Sequence, residues 1–175
     1  YDLGFLQVRT ARSDKLGTED FTVGRVKRNF WRQSTVGMLY TRRATSTLNK
    51  DLAPLDRHTI AADLNLVTSS FLGDKNLQFE AFYVAHNDPK REGTANAGDR
   101  SARGIRLNYP NDIWRAHLSY REFGDDYSPA VGFTPRNGFR RFQPSFSWNP
   151  RPASWGQVRQ IEYGIRYEHL LTLDN

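Results

Sequence analysis

Four histidines, His58, His86, His117 and His169, and the carboxylates Asp63, Glu80, Glu162 and Glu168 are the side chains best suited to chemistry in this chain. A metal centre would need imidazoles at ligand spacing, such as i and i+4 on a helix. The histidines instead fall on or beside four different strand-like stretches, and no pair has that spacing. Glycoside hydrolysis would need two carboxyl groups about 5 to 9 Å apart. The carboxylates are available, but nothing in their spacing singles out a pair. The absence of cysteine removes thiolate zinc sites, cysteine nucleophiles and any disulfide framework. There is no G-x-S-x-G elbow and no glycine-rich phosphate cradle. Asp125-Asp126 alone is too small a donor set for calcium, which takes about six to eight oxygens. No catalytic residue, metal ligand or cofactor is assigned.

The pattern that does stand out is cationic. Arg106, Arg115, His117, Arg121, Arg141 and Arg166 share the parity of the polar residues in their stretches, which predicts a lumen-facing, anion-attracting surface. Trp31, Trp155 and Phe133 offer rings that could stack on sugars. A second motif opens at Gly124, Asp125 and Asp126, where a turn follows a strand and Asp126 is suited to an Asx-turn. Ser128-Pro129 and Thr134-Pro135 impose extended backbone before each proline. Arg136, Arg140 and Arg141 are placed to pair with Asp125 and Asp126 and so fix this loop to a wall.

The elements that must position these residues are strands. Ile60, Ala62, Leu64 and Leu66 alternate with Asp63 and Asn65, and Trp114, Ala116, Leu118 and Tyr120 alternate with Arg115, His117, Ser119 and Arg121. The same period of two recurs over 77–86, 105–109, 142–148 and 161–168. Such alternation reads as half-exposed antiparallel strand, and no stretch keeps the three- and four-residue spacing of a helix. Val36, Met38 and Tyr40 fit the pattern, whereas Phe21–Trp31 and Leu3–Arg9 are less regular. Tight connections at Leu72–Asn76 and Tyr109–Asp112 alternate with longer ones at Arg43–Arg57, Asn87–Ser101, Phe123–Gly138 and Asn149–Gln157. About nine strands in an antiparallel meander are expected, all in one domain spanning 1–175 or in a fragment of one.

The composition agrees. The chain has 175 residues, 38% of them hydrophobic, with a formal charge of +6. Its mean hydropathy is −0.71. No run reaches the roughly 18 apolar residues of a membrane-spanning helix. A spanning strand needs only about 10 residues, half of them apolar, so strand-built membrane proteins fit these numbers. Aromatic residues at 13% argue against disorder. The basic excess is dispersed along the chain and reads as a solvated face, not a nucleic-acid footprint. A period of two serves two architectures. In a soluble sandwich the apolar face turns inward, and in an outer-membrane-type barrel it turns to lipid. Long strands, aromatics near strand ends and charges of both signs on the polar face favour the barrel. A β-rich accessory subunit of a larger membrane complex is a third reading.

Two segments carry a family resemblance. F-T-V-G-R-V-K-R-N-F-W-R-Q-S-T-V-G-M-L-Y-T-R-R from Phe21 to Arg43, and Y-R-E-F-G-D-D-Y-S-P-A-V-G-F-T-P-R-N-G-F-R-R from Tyr120 to Arg141, resemble the C-terminal part of an uncharacterised bacterial envelope family. That family is expected to form an outer-membrane-type β-barrel, commonly preceded by a family-nine-type carbohydrate-binding domain. The resemblance implies a partial or complete barrel in the cell outer membrane, with lipid as a partner and a link to carbohydrate binding, carbohydrate uptake or other envelope proteins. Glycoside hydrolase activity in a full-length protein is implied only through that neighbouring domain. The stretch resembling the family is the barrel region, so no residue here takes a sugar-binding role from it. Both ends, Tyr1 and the apolar run Leu170-Leu171-Thr172-Leu173, read as cut from something longer. Nine strands is also an odd number where bacterial single-chain barrels are even.

Overall fold

The computed structural model describes residues 1–12, 17–46, 55–89 and 96–173. Parts of the connections expected at Arg43–Arg57 and Asn87–Ser101, and the last two residues, lie outside them. Ten strands follow in chain order: β1 (Asp2–Arg9), β2 (Glu19–Phe30), β3 (Ser34–Thr45), β4 (Leu55–Phe71), β5 (Lys75–His86), β6 (Ser101–Pro110), β7 (Trp114–Phe123), β8 (Phe139–Trp148), β9 (Tyr163–Arg166) and β10 (His169–Thr172). Every pairing is antiparallel and joins sequence neighbours, from β1–β2 through β7–β8, with both β9 and β10 on β8. The protein is therefore an all-β meander. Among the described residues there is no helix, and β1 and the β9/β10 segment remain open edges, so the sheet does not close on itself.

The two last strands are one strand with a gap. Arg166 pairs with Ser145 and His169 with Phe142, three steps further along each chain, so the register is unbroken. The gap at Tyr167 and Glu168 faces Pro144 and Gln143. Tyr167 N–H donates to the Pro144 carbonyl at 3.0 Å, but proline has no N–H to return, and the ladder lapses there. Nine expected strands and ten observed ones differ by this single missing donor.

Register sorts the side chains onto two faces. Directly paired residues lie on one side of a sheet, and the unbroken pairings from β1 to β10 propagate this across the whole width. One face carries Leu3, Phe5, Val26, Val36, Met38, Ile60, Leu64, Tyr83, Ile105, Leu107, Leu118, Phe146 and Ile165. The other carries Arg25, Asp63, Glu80, Arg106, His117, Ser119, Arg121, Arg141 and Arg166. Burial runs opposite to the usual order. Phe5 is 75% exposed and Ile165 70%, whereas Ser119 on the polar face is 2% exposed and Thr41 5%. Ala102, Tyr127 and Ala130 are the buried hydrophobic residues among those described. The apolar face is not covered by a second layer in the described residues.

The apolar face is bounded at both ends. Toward the tight turns at 31–33, 72–74 and 111–113 it ends in a row of rings. Trp114 stacks on Trp148 at 5.7 Å and on Phe146 at 5.5 Å, and Trp148 stacks on Tyr163 at 5.5 Å. Toward the long connections it ends in charge. Arg9 pairs with Asp20 at 3.4 Å, Arg42 with Asp56, and Arg103 with Glu122 at 2.8 Å. Between these limits β4 (Ile60 to Leu66) and β7 (Trp114 to Tyr120) keep six residue steps of apolar side chains, or ~20 Å at the strand rise, whereas β1 and β2 also place Gln7, Thr22 and Arg28 on this face. The alternation of turn lengths has one exception: the connection 149–162 is long yet lies at the tight-turn end, tied to Asp112 by Arg151 at 2.8 Å.

Candidate functional site on the polar face

The six cationic residues singled out from the sequence, Arg106, Arg115, His117, Arg121, Arg141 and Arg166, all fall on the polar face of β6 to β9. They are not equivalent. Arg106 pairs with Glu80 at 3.1 Å, and Glu80 also accepts from Gln78 at 2.6 Å. His117 hydrogen-bonds Asn108, its direct cross-strand neighbour. Arg115 donates back to the Asn111 carbonyl at 3.3 Å. Arg121 and Arg141 are direct cross-strand partners of each other. Like charges in that position repel, and neither guanidinium has an ion pair or hydrogen bond among the described residues. The Arg141 Nε is buried and unpaired.

Glycines make room for the long side chains on this face. Arg25 on β2 reaches Asp63 on β4 at 2.8 Å, spanning β3 at Gly37. A Cβ at Gly37 would lie 2.7 Å from the Asp63 carboxylate and 3.0 Å from the arginine. At Gly104 on β6 the ring of Phe82 fills the vacancy, 2.6 Å from where a Cβ would be.

The connection 124–138 supplies the second part of the site. Gly124, Asp125 and Asp126 form the expected turn, closed by Tyr127 N–H donating to the Gly124 carbonyl at 3.2 Å. Gly124 packs so closely that a Cβ would stand 2.2 Å from the Asp99 carbonyl oxygen. From there the chain turns back over the polar face. Ala130 N–H donates to Thr59 Oγ1 at 2.7 Å, Ser128 N–H donates to His86 Nε2 at 2.8 Å, and Arg57 donates to the Ser128 hydroxyl at 2.8 Å. Because Nε2 accepts, the His86 proton sits on Nδ1, facing the Asn87 carbonyl at 2.9 Å. Tyr127 is 7% exposed, with its ring edge-on to Phe123 and His86. Burial holds its phenol above the ordinary tyrosine value. The loop thus crosses from β7 to β4, three strand spacings or about 14 Å.

The arginines expected to pair with Asp125 and Asp126 do other work. Arg136 lies over the ring of Phe139 at 5.7 Å, and Arg140 donates to the Leu173 carbonyl at 3.2 Å. The loop is held by backbone donors to Thr59 and His86 instead. Of the two anchors, His86 is among the histidines weighed from the sequence and Thr59 is not singled out there, although both share the parity of the polar face.

Two of the recesses on this face hold most of the cationic residues. One of about 540 Å³ lies between the loop and the sheet, with Arg121, Arg136 and Arg141 among its lining and the stacked rings of Phe123 and Phe139 as a wall, 5.1 Å apart. The other, of about 500 Å³, lies near the tight turns and is lined by Arg115, His117, Ser145, Glu162 and Arg166.

The remaining candidates do not assemble. His58 bonds the Tyr40 hydroxyl at 2.7 Å, and His169 meets the Tyr167 ring edge, both on the apolar face. No group of three metal-capable side chains occurs among the described residues. Asp63 and Glu80 are diagonal neighbours on β4 and β5, but each is taken up by its own arginine, as structural carboxylates are. Glu168 accepts from Gln143 at 2.6 Å. Trp31 and Trp155 lie at the tight-turn end and Phe133 at the opposite one, so the three rings form no common platform. Comparison of the chain with protein-family models, with curated proteins and with solved structures returns no match.

Proposed function

We propose that this chain forms the wall of an outer-membrane β-barrel in a Gram-negative-type envelope, with lipid against its apolar face and a basic lumen on the other. The observation that carries this reading is the inverted burial. Large apolar side chains at roughly 150–250 Å² for each aromatic leave an exposed apolar surface on the order of 1,000 Å², against the few hundred that soluble monomers tolerate. A hydrocarbon layer satisfies such a face. The bounding row of Trp114, Trp148 and Tyr163 suits the headgroup level. The charged row at the other margin suits the opposite interface. The apolar band of ~20 Å along the strand gives a height of ~15 Å at a tilt of about 40°, below the ~25 Å usual for outer-membrane barrels. In this orientation the tight turns face the periplasm and the long connections the exterior.

No covalent step is assigned. Transport would be passive, with the arginine-rich face raising the local concentration of anions along the lumen. The link to carbohydrate rests on the segments Phe21–Arg43 and Tyr120–Arg141 alone. Backbone groups in lipid must all be paired, so the two open edges need strand partners there. This feature favours a second reading, a β-rich subunit seated in a larger membrane assembly, which co-purification from native membranes would reveal.

The deciding experiment dilutes urea-unfolded chain into short-chain phosphatidylcholine vesicles and follows flotation with the lipid. Single-tryptophan variants retaining Trp114 or Trp148 are then quenched with lipids brominated at different depths. Co-flotation with strongest quenching by shallow bromines is expected. A chain that stays monomeric and folded without detergent or lipid overturns the reading.

A further inference from the structure

The recess beneath the 124–138 loop differs in chemistry from the rest of the polar face. Arg121 and Arg141 are set side by side across β7 and β8 with no carboxylate between them. The Glu80 charge reaches Arg121 but is already engaged by Arg106 and Gln78. A cross-strand pair of like charges is unfavourable unless a counter-ion lies over it. The recess offers room for one. Arg121 and Arg141 both line it beneath the loop, while the space at Gly104 beside Arg121 is already taken by the Phe82 ring. The loop brings a third cation, Arg136, while turning apolar groups toward the same space. Phe123 and Phe139 stack along one side, and Arg136 lies over the Phe139 ring. A purely hydrated anion would leave those rings unused, and a purely apolar molecule would leave two guanidinium groups uncompensated.

We infer that this recess is a binding site for an organic carboxylate with an apolar or aromatic body, the carboxylate bridging Arg121 and Arg141 and the body lying against Phe123 and Phe139 under the loop. Paired guanidinium groups offer planar N–H donors that match a carboxylate, and a recess of about 540 Å³ is within the usual range for small-molecule sites. The site depends on the fold of β6 to β8 and the seated loop. It does not depend on whether the opposite face meets lipid.

The test uses the full chain in detergent micelles with 4-(trifluoromethyl)benzoate, followed by fluorine NMR line broadening and by the thermal midpoint. Saturable binding and a raised midpoint are expected, with 4-(trifluoromethyl)benzyl alcohol binding at least about tenfold more weakly because it lacks the charge. R121Q/R141Q should lose benzoate binding while unfolding at the same or a higher temperature than the parent without ligand, since a repulsion is removed. R28Q, on the opposite face, should bind as the parent does. Equal binding of the alcohol, retained binding in R121Q/R141Q, or sulfate competing as well as the benzoate would each overturn the proposal. Flotation with vesicles is scored separately, so failure of the site and failure of the membrane reading are distinguishable.

Discussion

Gly37 and Gly124 both stand where a methyl group would collide, yet the obstructing atoms differ in kind. At Gly37 the obstacle is the mobile end of Asp63, so G37A should release the Arg25–Asp63 pair at a cost of about 0.2–1 kcal/mol. At Gly124 it is the Asp99 backbone carbonyl, which cannot step aside without unseating the turn. G124A should cost about 2 kcal/mol or more, and urea unfolding of the two variants in detergent would rank them. An equal cost would mean that the Asp99 carbonyl moves freely. Tyr127 adds a pH dependence. Its phenol is held by burial above the ordinary value of about 10, so the seated loop binds that proton more tightly than the released one. Seating is intact below about pH 10 and is lost as pH rises through the folded-state value. Phenolate absorbance should report this release, and Y127F should abolish it. Little of the site at this scale was legible in the sequence. Parity placed the arginines on one face, but the Arg121–Arg141 neighbour relation needs a register that no local signal contains. The Ala130–Thr59 bond joins residues 71 apart, beyond the reach of any turn rule.

Strands were the most legible elements, because period two needs only a few residues to declare itself. Ile60–Leu66 and Trp114–Arg121 lie in β4 and β7 on the faces that alternation assigns them. The irregular Phe21–Trp31 stretch still became β2, since pairing with both β1 and β3 supplies what its own pattern lacks. Pro144 marks the place where element and sequence part company. Proline normally demotes a strand to an edge, yet β8 is paired on both sides. The cost is confined to the gap at Tyr167 and Glu168. Pro144→Val keeps the side chain apolar and restores a donor opposite the Tyr167 carbonyl. It should fuse β9 with β10, add about 1 kcal/mol and slow amide exchange across Tyr163–Thr172. Unchanged exchange there would place the cause of the gap elsewhere, for example in the Gln143–Glu168 contact.

For the molecule as a whole, the membrane reading predicts a cost that depends on depth. Leu118→Arg lies in the middle of the apolar band and should destabilise the vesicle-inserted protein by about 2–4 kcal/mol, while His169→Arg, near the charged margin, should cost about 0–1 kcal/mol. Equal costs in reversible unfolding from vesicles would contradict a lipid-facing surface. The all-β meander followed from periodicity and turn chemistry. Where the sheet ends and what meets its edges did not, because closure depends on tilt and stagger summed over every strand. The 124–138 loop has one more consequence at this scale. Anchored between β7 and β8 at its ends and bonded to Thr59 on β4 and His86 on β5, it is a chord drawn across an arc. A chord of fixed length sets the curvature of the strands it subtends. β4 to β8 should therefore bend as one stiff segment, while β1 to β3 keep the freedom to hinge, and any parting of the wall should begin on their side.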